Sequence, residues 1–205
     1  MPPAPSPAPG PAHDPILFVH GYNSAGLVWL VMVNRFRQDG WTDGELFSWT
    51  YDTHLSNWDT ARLIAQKVDA ILAQTGARRV DIVAHSMGSL SSRAYLRGSS
   101  GNQVDAWVSL AGPNHGTEAA YNCSDVSCAE MRPDSAFLTE LNAGDETPDA
   151  VRYGTWWSPC DEVIRPLGSV ALLGAFNTQT SCLSHSQLLV DAGVYQQVRD
   201  FLDGR

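Results

Sequence analysis

The sequence predicts an α/β fold with a mostly parallel central sheet of about six strands and helices on both faces. Three observations carry this expectation. Short apolar runs alternate along the chain with amphipathic helical patterns. The first run stops abruptly at His20-Gly21, as a buried strand does before a turn. Finally, no internal repeat and no linker follow residue 15, so 205 residues suit one folded domain over 16–205.

Taken in order, residues 1–15 form a Pro/Ala-rich tract of disordered, extended character. Ile16 to Val19 is the first strand. Leu27 to Phe36 is a largely buried helix, with Ser24 as a candidate N-cap. Leu46 to Tyr51 is aromatic and β-prone. Ala61, Ile64, Val68, Ile71 and Leu72 share one face of an amphipathic helix that Gly76 ends. Val80 to Ala84 is a strand, and Met87, Leu90 and Ala94 repeat at helical spacing directly after it. Val104 to Ala111, Val151 to Trp157 and Val170 to Leu173 are three more strands. Val194, Val198, Phe201 and Leu202 line a terminal helix. The polar stretch 112–150 breaks this rhythm and reads as an irregular insert, a candidate partial lid, because loops that long are usually functional.

Composition narrows the function. Apolar residues are 43 % and aromatics 9 %, which excludes wholesale disorder. A net charge of −9 gives no general attraction to nucleic acid or anionic lipid, and leaves uncharged substrates open. No stretch approaches the roughly 20 apolar residues that span a bilayer, so stable membrane insertion is not expected. The 4 cysteines (Cys123, Cys128, Cys160, Cys182) form no C-x-x-C pair and no zinc-finger cluster, and no metal site is expected. Their even number, the scarcity of Lys and the Pro/Ala tract favour an oxidising compartment over four free thiols, and hence a secreted protein with its signal segment removed. Of the three pairings, Cys123–Cys128 with Cys160–Cys182 is preferred.

The chemistry centres on Ala84-His85-Ser86-Met87-Gly88, where a strand gives way to a helix. Small residues two positions either side of Ser86 suit a tight turn that throws the hydroxyl out at the carboxyl end of the sheet. The turn also sets Ser86 at a helix N-terminus, which favours developing negative charge. A serine needs a base to take its proton. Of the 6 histidines only His115 and His185 follow Ser86. His185, in a loop before the final helix, is the preferred base, and His115, in a Gly-Pro-Asn-His-Gly-Thr turn, is the alternative. The orienting acid should follow the strand ending at Trp157. Asp161 is preferred, with Glu162 one residue on, while Asp134, Asp145 and Asp149 read as solvated loop charges. A Cys160–Cys182 bond would tie the acid loop to the base loop. The two amides of an oxyanion hole should come from Met87, after the nucleophile, and from Tyr22, in the loop after the first strand, unless Tyr22 is a surface aromatic whose amide bonds elsewhere. Tyr22, Met87, Trp157 and Leu183 are each either acyl-pocket residues or plain core.

These pieces together resemble the class 2 triacylglycerol lipases, secreted bacterial enzymes of the small α/β-hydrolase type. The matching segments are Ile16-Leu17-Phe18-Val19-His20-Gly21, Val80 to Gly88, Leu110 to Thr117 and Ser158 to Ile164. The resemblance covers roughly residues 15–203 and implies a minimal α/β-hydrolase fold. It also implies carboxylester hydrolysis without metal or organic cofactor, a lipid or other ester as substrate, and secretion. A monomer is expected. The smallest members have a shorter connection than 112–150 before the acid. A short-chain or polyester-cleaving esterase is the competing enzyme, and an inactive hydrolase-fold binding module the competing class.

Overall fold

The computed structural model describes residues 11–98 and 103–204, so residues 1–10 of the expected leader lie outside the described residues. Six strands form one all-parallel sheet in the order β2-β1-β3-β4-β5-β6. They are β1 (Ile16–Val19), β2 (Leu46–Ser48), β3 (Val80–His85), β4 (Val104–Leu110), β5 (Arg152–Trp157) and β6 (Phe176–Gln179). Parallel strands need crossovers, and here they carry α1 (Leu30–Gln38), α2 (Asn57–Thr75) and α3 (Met87–Gly98). α4 (Val126–Met131), α5 (Ala136–Leu141) and α6 (Ala192–Leu202) follow.

Side-chain alternation along the strands divides the core in two. Leu17, Val19, Ile82, Ala84 and Trp107 face α2 and α3, meeting Ile64, Val68, Met87 and Leu90. Ile16, Phe18, Val83, Val108 and Trp156 face α1 and α6, meeting Met32, Phe36, Val194 and Val198. Helices therefore cover both faces, and the central strands are apolar on both. α2 opens on Ser56, whose hydroxyl accepts from Trp58 N–H, and closes on Gly76 in the left-handed region (φ 71°). Among the described residues no helix is long and apolar enough to cross a membrane.

Four local expectations are corrected. The expected strand Val170–Leu173 is not one: Leu167–Val170 is a 3-10 turn, and β6 begins at Phe176, past the turn at Gly174 (φ 88°). Val170 and Leu172 are apolar because they are buried, not because they are paired. β2 stops at Ser48, and Tyr51 instead stacks on His20 at 4.2 Å. The first helix starts as a 3-10 turn at Gly26–Trp29, with Ala25 rather than Ser24 in the cap position. The stretch 112–150 is not irregular throughout, since it holds a 3-10 turn (Glu118–Asn122), α4 and α5.

Asp81 is one of the buried acids within this frame. Asp81, on β3, accepts a hydrogen bond from Ala106 N–H at 3.0 Å. Burial raises its carboxyl well above the usual carboxylate range, and the neighbouring Asp14 and Asp105 add to the rise. A raised carboxyl contributes stability while protonated and loses it as pH rises from the unfolded value toward the folded one, by at most about 1.4 kcal/mol per pH unit. Asp81→Asn keeps the acceptor oxygen and removes the proton. Its unfolding midpoint should exceed that of the parent protein by more at pH 8 than at pH 5, and an advantage that does not grow with pH would contradict the burial argument.

Candidate active site

All strands run the same way, so every loop that leaves a strand end opens on one edge of the sheet. Ser86 sits there between β3 and α3 with φ 54°, a left-handed conformation that a non-glycine residue adopts only under constraint. Its N–H donates to Leu110 carbonyl at 2.9 Å, fixing the turn to β4. A Cβ at Gly88 would lie 2.5 Å from the His20 carbonyl oxygen and 2.6 Å from that of Val19, so only glycine lets α3 start this close to β1. A Cβ at Gly21 would lie 2.8 Å from Ser86 Cβ. The methyl of Ala84, two residues before the serine, fits into the core.

Met87 is the first residue of α3, so its N–H has no acceptor within the helix. The loop after β1 carries the second candidate amide, that of Tyr22. His20 anchors that loop: its Nδ1–H donates to Gly21 carbonyl at 2.9 Å, and its Nε2 accepts from Tyr51 N–H at 3.4 Å. Burial lowers the His20 pKa, partly offset by the bond to Gly21, which agrees with a neutral ring. The Tyr22 hydroxyl donates to Asp125, and the Tyr22 ring lines the same pocket as Ser86.

His185 meets both residues that the sequence offered as its acid. Its Nδ1–H donates to Asp161 Oδ2 at 2.9 Å, and its backbone N–H donates to Glu162 Oε2 at 3.0 Å. Asp161 is buried. Burial alone would raise its pKa, but bonds from His185 and from the N–H groups of Ile164 (2.9 Å) and Val163 (2.8 Å) outweigh it and lower the value. His115, the alternative base, is held elsewhere by Glu146 (2.7 Å) and by the Ser169 carbonyl (3.2 Å).

Two further links join the acid and base loops. Cys160 and Cys182 form a disulfide, as do Cys123 and Cys128. Ser158, fully buried, accepts from Leu183 N–H at 2.8 Å and from Cys160 N–H at 3.1 Å, and donates to Leu183 carbonyl at 2.6 Å.

Ser86 and His185 open on one pocket of about 260 Å³. Its apolar lining comes from Ala119, Ala120, Cys123 and Met131 of the insert and from Val163 and Ile164 after the acid. Trp157 and Leu183, expected there, pack instead against the core cluster beneath α1 and α6. Ser158 draws the Leu183 backbone onto the end of β5, which turns that segment toward the core. Sequence reasoning missed the insert wall; the Phe137, Leu138 and Leu141 spacing behind Ser135 is a signal that could have revealed α5.

The wall is tied to the body. Thr117 N–H donates to Met131 carbonyl (2.9 Å) and Thr117 Oγ1 to Val163 carbonyl (2.6 Å). From α4, the Glu130 carboxylate accepts from Ser56 Oγ (2.5 Å), Asn57 N–H (2.6 Å) and Asn57 Nδ2 (2.8 Å) at the start of α2.

Comparison with known proteins places this geometry. The family model described as lipase (class 2) matches residues 13–197. The mature form of lipase BlEst2 from Bacillus licheniformis superposes with a TM-score of 0.82 at 18 % identity, over 97 % of this chain and 96 % of that one. Lipase B from Aspergillus fumigatus gives 0.77 at 15 % identity, over 93 % of this chain but 52 % of that one. Phospholipase PlaB from Legionella pneumophila gives 0.73 at 16 % identity, over 93 % and 59 %. At these identities the likeness is one of fold.

The Cys160–Cys182 bond closes a loop with a sequence separation of 22. By loop-closure entropy its removal should cost about 3 kcal/mol. The double variant Cys160→Ala/Cys182→Ala should unfold at a clearly lower temperature in a thermal melt, and an unchanged midpoint would mean that the other links already hold the two loops.

Proposed function

The chain belongs to the class 2 lipase family, and we propose that it hydrolyses carboxylic esters by acyl transfer through Ser86, with His185 as base and Asp161 as its orienting acid. The observation that carries this is the bond from His185 Nδ1–H to buried Asp161, in a residue that shares its pocket with Ser86. That bond holds the imidazole in the tautomer with Nε2 bare, the form able to take a proton from a serine hydroxyl.

In the first step Ser86 Oγ attacks the ester carbonyl carbon as His185 Nε2 takes the hydroxyl proton. The carbonyl oxygen becomes an oxyanion, which the amides of Met87 and Tyr22 stabilise at the N-terminus of α3. Collapse expels the alcohol, which leaves with the proton from His185, and an acyl-serine remains. Water then attacks the acyl carbon as His185 takes its proton, the acyl–Oγ bond breaks, His185 returns the proton to Ser86 Oγ, and the acid departs. The lowered carboxyl of Asp161 keeps it ionised to balance the imidazolium. The two disulfides support an oxidising, extracellular setting, and the lipases among the structural neighbours support a lipid ester as substrate.

A short-chain esterase is favoured by one observation, the pocket volume of about 260 Å³. This falls below the roughly 300–1,000 Å³ common for small-molecule sites. The hydrogen bonds of the insert support a fixed wall rather than a lid.

Ser86→Ala should abolish hydrolysis of p-nitrophenyl butyrate and labelling by an alkyl phosphonate while the thermal melt is preserved. Residual turnover near the parent rate would refute the scheme, and a parent protein inert to both reagents would favour a binding module. Across a p-nitrophenyl ester series, butyrate and octanoate should exceed palmitate by on the order of tenfold in kcat/KM, since each methylene accommodated or refused changes binding measurably. Equal rates for palmitate would assign a longer acyl site.

A further inference from the structure

His85, the strand residue just before Ser86, has no part in the scheme above, yet its side chain reaches the base. Alternation along β3 sends Ala84 into the cluster facing α2 and α3, and therefore sends His85 to the opposite face, where Leu183, Leu188 and Leu189 pack. The His85 ring lies 4.5 Å from that of His185, centroid to centroid, and His85 Nε2 is 3.1 Å from the His185 carbonyl oxygen. A carbonyl only accepts, so Nε2 carries the hydrogen. His185 is thus held at three points. Its N–H is taken by Glu162, its Nδ1–H by Asp161 and its carbonyl by His85. Among the described residues no hydrogen bond occupies Nε2, the atom the reaction needs.

We propose that His85 is a positioning residue for the base: by donating Nε2–H to the His185 carbonyl it registers the base loop to the strand that presents Ser86. This rests on the serine-hydrolase reading above. The strand then sets both partners of the proton transfer from adjacent residues, the nucleophile through its backbone turn and the base through the neighbouring side chain. The choice of histidine has a physical reason. A Lys or Arg donor at this distance would repel the imidazolium that forms on His185 during turnover. Burial first, and the neighbouring His185 second, push the His85 pKa down, which favours a neutral donor. The effect is one of placement. A proton transfer tolerates little displacement, and a misplacement on the ångström scale costs on the order of 10²-fold in rate.

The test compares His85→Gln, His85→Asn and His85→Phe with the parent protein and with Ser86→Ala, using p-nitrophenyl butyrate. The Gln amide nitrogen reaches as far as Nε2 of histidine, whereas that of Asn stops a bond short and Phe offers no donor. The expected order in kcat is Gln above Asn and Phe. Gln should stay within about tenfold of the parent and Phe should fall by on the order of 10²-fold. KM should stay within about twofold throughout, because the pocket lining is untouched. Phosphonate labelling of the Phe variant should reach full stoichiometry at a reduced rate. If Phe does not fold in a thermal melt, the Gln and Asn pair decides alone. Equal kcat for Gln and Asn, or Phe at the parent rate, would overturn the role of His85 while the loss in Ser86→Ala leaves the hydrolase reading standing. A parent protein inert to ester and phosphonate would overturn both.

Discussion

The start of α3 passes the end of β1 so closely that a single methyl at position 88 would meet two carbonyl oxygens at 2.5 and 2.6 Å. The rest of the site depends on that approach. It brings the first turn of α3, with its free amides, beside the loop that carries Tyr22, and it forces the intervening Ser86 into a left-handed conformation at φ 54°. Because β3 is central, with β1 on one side and β4 on the other, the bend is held from both flanks. The parallel arrangement does the remainder. Asp161 follows β5 and His185 follows β6, so both emerge on the edge where Ser86 turns.

The electrostatics of that edge are economical. Three histidines stand near Ser86, and burial lowers the pKa of two of them, His20 and His85. Both therefore act as neutral hydrogen-bonding parts. His20 fixes the loop that carries Tyr22, and His85 contacts the loop that carries His185. The ionised group is Asp161, whose lowered carboxyl is satisfied by two backbone N–H groups and one imidazole N–H. Among the described residues no other cation pairs with that carboxylate, so in the proposed reaction charge forming on His185 would meet an attractive, largely buried partner.

Much of this was legible in the sequence, and what was not has identifiable causes. Ala84 to Gly88 marked the elbow because strand, small residues and helix lie contiguously, and the Cys160 and Cys182 spacing marked the two loops that come together. Local patterns carry such information. β6 was missed because an edge strand with mostly exposed residues has no apolar period, while the apolar run at 170–173 is buried without being paired. The lining of the pocket at Ser86 was missed for a different reason. Ala119, Ala120 and Met131 are ordinary residues that become a wall only when the insert folds back on Val163 and Ile164, contacts more than thirty positions apart. Glu162, read as a substitute for Asp161, instead accepts the backbone N–H of His185. Two adjacent carboxylates share one partner through different atoms, a division that spacing alone does not reveal.

The insert shows how the same contacts bear on dynamics. A lid needs few bonds to the body, so that opening leaves nothing buried and unsatisfied. Glu130 contradicts that requirement. It accepts the first-turn N–H of Asn57 while the Ser56 hydroxyl, which caps Trp58, also donates to it. α2 and α4 thus share one cap. Lifting α4 would strip the N-terminus of α2 of an acceptor and leave the Asn57 side chain, fully buried, without the carboxylate it donates to. On the other flank the Tyr22 hydroxyl bonds to Asp125, at the start of α4, so the same movement would disturb the loop that supplies a candidate oxyanion donor. Opening the insert would therefore break these contacts together. On the proposed reading an ester would enter through the mouth of the pocket, whose far wall the Cys123–Cys128 bond and these hydrogen bonds tie to the body.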